Sequence, residues 1–191
     1  MTTTKKERYN VYFLTITGVM AALACVSNLI RIPLFDSKIS VSNAVCVLCG
    51  LILGPASGFF SAGLGNFLYD IFTGYGYESL ITLVSKGAIA VVAAVMTASI
   101  RGKKKVEGKE DYLRLFLASA LAALTYVVLY MLKTFIFGLA VKGYNMEGTL
   151  ASMGAKLPAS LINAVFATIV TPLFYTAVIP ALRHTSVLEK L

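Results

Sequence analysis

Charge is what this chain has least of. Only 14% of its 191 residues are charged, and nine are acidic, whereas soluble domains carry about 25% charged residues. An ordinary soluble domain is therefore excluded. Histidine occurs once, as His184 in the carboxyl tail. The sequence holds no cluster with metal-ligand spacing, no nucleophile elbow and no phosphate-binding loop. Asp70 and Glu78 are a carboxylate pair by count, but eight residues and a Gly-rich turn separate them. Catalysis, a cofactor and a bound metal thus find no residues to carry them. The three cysteines, Cys25, Cys46 and Cys49, all fall in apolar runs. An odd number in such runs makes no disulfide framework. Cys46-x-x-Cys49 lacks the surroundings of a redox pair and reads as small core residues.

Hydrophobic residues fill the space that charge leaves. They make up 58% of the chain, and the mean hydropathy is +0.79. The apolar runs predict an all-α integral membrane protein, a single membrane domain over 1–191 with six helices at about 11–30, 41–53, 56–73, 79–100, 115–139 and 157–182. The second is short for a full span. Between them lie a polar loop at 31–40, a tight turn at Gly54-Pro55, a turn at 74–78, a strongly charged stretch at 101–114 and a longer polar loop at 140–156. No soluble domain is left over, so any ATP-hydrolysing part belongs on another chain.

The net charge is +8. In a soluble protein that would suggest nucleic acid. Here the basic residues sit between apolar runs, so topology explains them and no nucleic-acid partner is implied. An even number of spans puts both termini on one side. Eleven lysines and arginines fall on that side, in the two tails and the 101–114 stretch. Four fall on the other: Arg31, Lys38, Lys142 and Lys156. Basic residues concentrate on the cytoplasmic side, so both termini are expected there. Ala22-Leu23-Ala24 before Cys25 also looks like a cleavage site. The apolar run continues to Ile30 with no polar region at the cut, which argues against cleavage.

Helix 1 carries Thr17-Gly18-Val19-Met20-Ala21-Ala22-Leu23-Ala24. Gly18 and Ala22 are four apart and share one helix face. Such small-residue grooves let helix backbones meet closely in lipid. Two readings stand: packing against the chain's own helices, or a docking face for another protein.

Ionisable groups inside membrane helices are functional candidates by default. Asp70, Lys86 and Lys133 are three, and Asn66 and Asn163 join them as strong hydrogen-bonding groups. Counted from the outer helix ends at 1.5 Å per residue, all five lie roughly 5–10 Å deep. Scattered structural groups have no reason to share a depth. The alternative is that Asp70 neutralises one lysine while the asparagines bridge helices. Near this layer lie Tyr75, Tyr77 and Glu78 in the outer turn, Tyr126 and Tyr130 on one face of helix 5, and Tyr144 with Asn145 in the last outer loop. Tyrosines with a few convergent polar groups suit a flat, polar small molecule. An aromatic belt at the membrane surface also accounts for Tyr75 and Tyr77. The substrate-binding candidates are Asn66, Asp70, Tyr77, Glu78, Lys86, Tyr130, Lys133 and Asn163. Two intramembrane lysines favour an anionic or carbonyl-rich ligand.

Six short-looped helices, the small-residue motif, the polar first outer loop and the polar layer together resemble the substrate-binding S components of energy-coupling factor (ECF) vitamin transporters. The family's helix 1 carries Ala-x-x-x-Ala. Here Gly18 takes the first alanine's place and Ala22 the second's. Ser42-Asn43-Ala44 through Leu53-Gly54-Pro55, followed by Gly63-x-Gly65, looks like the riboflavin-type branch. The resemblance implies capture of a vitamin or precursor from outside. It implies a pocket built by helices 4 to 6 and the loop after helix 1. The implied partners are a transmembrane coupling subunit, docked at Gly18 and Ala22, and two cytoplasmic ATPases, with membrane lipid around the chain. A membrane-embedded enzyme or assembly factor without transport is the alternative class.

Overall fold

A computed structural model of the chain describes residues 3–34, 37–76, 78–99 and 108–184. It contains six helices: α1 (Thr3–Ser27), α2 (Ser42–Leu53), α3 (Pro55–Phe72), α4 (Glu78–Met96), α5 (Lys109–Ala140) and α6 (Met146–His184). Two short strands, β1 (Arg31–Leu34) and β2 (Ser37–Ser40), join α1 to α2. Among the described residues, three stretches, Glu78–Met96, Lys109–Ala140 and Met146–Val178, are long and apolar enough to cross a membrane.

The bundle is organised around α2. Its 12 residues span about 18 Å, well short of a hydrocarbon core of about 30 Å. Nearly every one of them is buried, and α2 packs against all five other helices. A helix that is apolar all round has no face for water and ends inside its neighbours. Its shortness is therefore that of a core element wrapped by longer ones.

Backbones approach closely because glycines line the contacts. A Cβ on Gly50 of α2 would collide with the Ala90 carbonyl of α4. One on Gly65 would collide with the Ala21 carbonyl and with Ala24 of α1. Gly63 meets the Leu83 carbonyl of α4 on the opposite side of α3. The Gly63-x-Gly65 motif is thus the seam by which α3 holds α1 and α4 at once. In lipid, contact between helices comes from this kind of packing.

Several boundaries differ from the sequence expectation. In the stretch 31–40, expected as a loop, residues 31–34 and 37–40 pair as antiparallel strands in which Arg31 faces Ser40 and Ile32 faces Ile39. The facing isoleucines form a β-branched cross-strand pair. Helix 5 starts at Lys109 instead of 115, because Glu110 and Asp111 in its first turn complement the helix dipole. Helix 6 starts at Met146 instead of 157. Asn145 caps it, with its Oδ1 accepting from the Gly148 N–H at 2.8 Å. After the preceding helix ends at Ala140, the chain turns at Gly143, whose φ is +64°, and the Tyr144 N–H reaches the Gly138 carbonyl at 2.9 Å. Only five residues, 141–145, connect the two helices, and Lys156 is helical.

Gly65→Val tests the seam. Forcing a branched side chain between α1 and α3 is an overpacking change of roughly 1–3 kcal/mol. Thermal unfolding of the purified variant in detergent should show a lowered midpoint. An unchanged midpoint would mean the helices are not held at this distance.

Candidate functional site: a polar cavity at one end of the bundle

One end of the bundle is held together by side-chain amides. Asn66 of α3 is buried and meets three elements. Its Oδ1 accepts from the Asn28 amide at 2.9 Å and from the Ser42 hydroxyl at 2.6 Å. Its Nδ2 donates to the Ala62 carbonyl at 2.8 Å and to the Cys46 sulfur at 3.2 Å. Asn66 thus ties α1, α2 and α3 just behind a cavity of about 440 Å³. Small-molecule sites commonly measure ~300–1,000 Å³.

The cavity draws residues from α2 to α6, from the hairpin and from Asn28 just past α1. Its aromatic wall is Tyr126 and Tyr130, one turn apart on α5. Their rings stack at 5.5 Å with an interplanar angle of 16°. Lys86 of α4 sits over the Tyr126 ring at 4.6 Å, close enough for cation–π attraction. Its Nζ also donates to the Asn43 Oδ1 of α2. Lys133, nearly two turns past Tyr126 on α5, pairs with Glu78 at 2.8 Å. Glu78 lies in the first turn of α4, where a negative charge is favoured by the helix dipole. Asn163 of α6 accepts from the Ser40 N–H at 2.8 Å, which pins the end of the hairpin to α6.

Of the residues named from sequence, Asp70, Glu78, Lys86, Tyr130, Lys133 and Asn163 all line this cavity. Tyr77 lies outside the described residues. Asn66 does not line the cavity. Its amide is taken up by four neighbours instead. The alternative reading gave Asp70 as the partner of one lysine, whereas the acid that pairs with Lys133 is Glu78. The last turn of α3 and the first of α4 bring both acids to the same end, and Glu78 is the one within reach.

Sequence reasoning missed Asn28, Ser40 and Asn43 as lining groups, and Lys156 had been set in a loop. A signal existed for Asn43. It stands near the start of a run that is otherwise almost wholly apolar, where an amide needs a buried partner. Asn28 carried a weaker one, being the polar residue before the last two apolar positions of the first run.

Gly18 and Ala22 lie elsewhere. Both are exposed, and nothing stands within 4 Å of a Cβ built on Gly18. Helix α1 meets α3 through its other face, where Ser61 donates to the Thr17 carbonyl at 2.9 Å and Ala24 is fully buried. The small-residue pair is not used for packing within the described chain. Val19, Leu23 and Val26 are exposed beside it.

Helices long and apolar enough to cross a membrane thus enclose a polar, aromatic-walled cavity at one end, of a size and lining suited to a small molecule. Residues 8–179 match the family described as ECF-type riboflavin transporter, S component. The chain belongs to that family. A protein of Pyrococcus woesei described as an uncharacterized protein in gap 3'region is 26% identical over 130 residues, covering 65% of this chain and 81% of that protein.

The Lys133–Glu78 pair can be weighed by a double-mutant cycle. Both partners are mostly buried, at 18% and 32% exposure. Lys133→Met and Glu78→Gln should each lower the unfolding midpoint of the empty protein. The double variant should recover part of the loss, with a coupling of about 1 kcal/mol. Strict additivity of the two losses would show that the pair contributes nothing.

Proposed function

We propose that this chain is the substrate-capturing component of an ATP-driven importer, embedded as six helices in a prokaryotic plasma membrane with both termini in the cytoplasm. It takes a flat, vitamin-sized molecule from outside into the cavity. A transmembrane coupling subunit and two cytoplasmic ATPases complete the transport. Riboflavin, named in the family description, is the first compound to test.

The observation that carries this reading is the opposition of the two ends along α5. The charged residues Lys109, Glu110, Asp111 and Arg114 begin the helix. Thr134, Phe137 and Gly138, which line the cavity, lie near its other end. Twenty-five residues separate Lys109 from Thr134, roughly 38 Å of helix, which is more than the hydrocarbon thickness. If the basic end is cytoplasmic, the cavity opens outside, where a scavenged substrate arrives. The exposed Gly18–Ala22 face of α1 supports docking, because a groove left unused within the chain is free for another helix.

Orientation is tested by thiol labelling in intact cells. In a background without the native cysteines, a cysteine at Lys142 should react with an impermeant reagent and one at Lys104 should be shielded. The reverse pattern would overturn the orientation.

Transport is tested by co-expression with a coupling subunit and its ATPases. ATP-dependent accumulation of the substrate should appear. Gly18→Leu and Ala22→Leu should abolish it while the isolated variants still bind ligand and fold. Equal loss of binding and uptake would return this face to a structural role. Absence of uptake by the unmodified chain would favour an enzyme or assembly factor.

A further inference from the structure

Lys86 is the buried cation of the cavity, at 8% exposure. An ammonium carries three donors. One is spent on Asn43, and the Tyr126 ring lies against the charge. Among the described residues no carboxylate comes within ion-pair distance of it. The Lys133 charge is answered by Glu78. Asp70 lines the same cavity but stands farther from Lys86 than an ion pair allows. A buried charge without a counter-charge is costly to maintain, and here it lines the cavity.

Asn43 sharpens the picture. Its Oδ1 accepts from Lys86, so its amide nitrogen is left as a donor. That nitrogen makes no hydrogen bond among the described residues, and Asn43 lines the cavity. The ammonium and the amide therefore stand side by side as two donors, which matches the two oxygens of a carboxylate. The wider field has the same sign, since four lysines and two carboxylates are among the lining residues. A cleft with an excess of one charge concentrates ligands of the other.

We propose that the substrate is a planar heteroaromatic acid, held with its carboxylate on Lys86 and Asn43 and its ring against the Tyr126–Tyr130 wall. This rests on the cavity being the substrate site. It departs from a neutral flavin, which would bring carbonyl oxygens to Lys86 but no counter-charge. An acid of this class supplies the missing anion, fills the flat slot, and leaves the Lys133–Glu78 pair intact beside it.

Matched pairs test the charge directly. Orotate with uracil, and pterin-6-carboxylate with pterin, differ in the carboxylate alone; riboflavin serves as the neutral family ligand. Calorimetry on the purified full chain in detergent should show at least one acid binding about tenfold or more tighter than its parent. Lys86→Gln should weaken that acid about tenfold to a hundredfold and leave the parent within about threefold. Asn43→Asp guards against a misfolded lysine variant. It keeps the shape of the side chain and places a carboxylate against Lys86. The empty protein should then unfold at a higher temperature while acid binding is lost.

The proposal is overturned if neither acid binds, if riboflavin binds tighter than both acids, or if Lys86→Gln weakens acid and parent equally. Retained acid binding in Asn43→Asp also overturns it. Failure here is separable from failure of the transport reading. Riboflavin uptake with no acid binding would keep the transporter and discard the acid. Acid binding without ATP-dependent uptake would do the reverse.

Discussion

A core helix too short to cross the bilayer has to be held from every side, and the hydrogen bonds of Asn66 are where that constraint meets the polar end of the protein. One amide joins the end of α1, the start of α2 and the middle of α3. In a bundle surrounded by lipid, an amide of this kind has no water to fall back on and must find partners inside. The cavity wall depends on that knot. Asn28 and Asn43 both line the cavity, and the bonds of Asn66 to Asn28 and to Ser42 beside Asn43 help to hold them there. The glycine seams work toward the same end from the apolar side, by letting α3 sit close enough to both α1 and α4 for such short bonds to form.

Much of this was legible in the sequence. The six apolar runs marked the six helices, and the shared depth of Asp70, Lys86, Lys133 and Asn163 marked one cavity. These features survive because each is a count along a helix, and helical rise converts counts into distance. What sequence could not supply was direction around the helix. Asn66 shares the depth and faces away, and Glu78 instead of Asp70 reaches Lys133, because partner choice depends on how neighbouring helices are rotated. Helix ends were the other failure. Hydropathy marks where a helix is greasy, whereas Asn145 and the acidic first turn of α5 mark where it begins. The hairpin was hidden because four-residue strands leave little periodicity to read.

The two lysines illustrate how burial alone underdetermines a role. They looked equivalent as intramembrane cations one helix apart. In the fold, one has a carboxylate at contact distance and the other has an amide oxygen and an aromatic face. The first is a self-contained pair that braces α4 against α5. The second is a charge with no carboxylate at contact distance among the described residues. The difference arises because Glu78 begins α4 and Lys86 lies two turns further in, beyond the reach of that acid.

The stacked tyrosines have an optical consequence. The chain contains no tryptophan, so its ultraviolet emission comes from tyrosine alone. Two of its ten tyrosines share one wall of the cavity, ring upon ring, with an ammonium over one of them. An absorbing heterocycle laid against that wall would accept their excitation energy and quench them, and Tyr75 and Tyr144, which also line the cavity, would share in the loss. The empty and filled proteins should therefore be distinguishable by their own light, with no label attached.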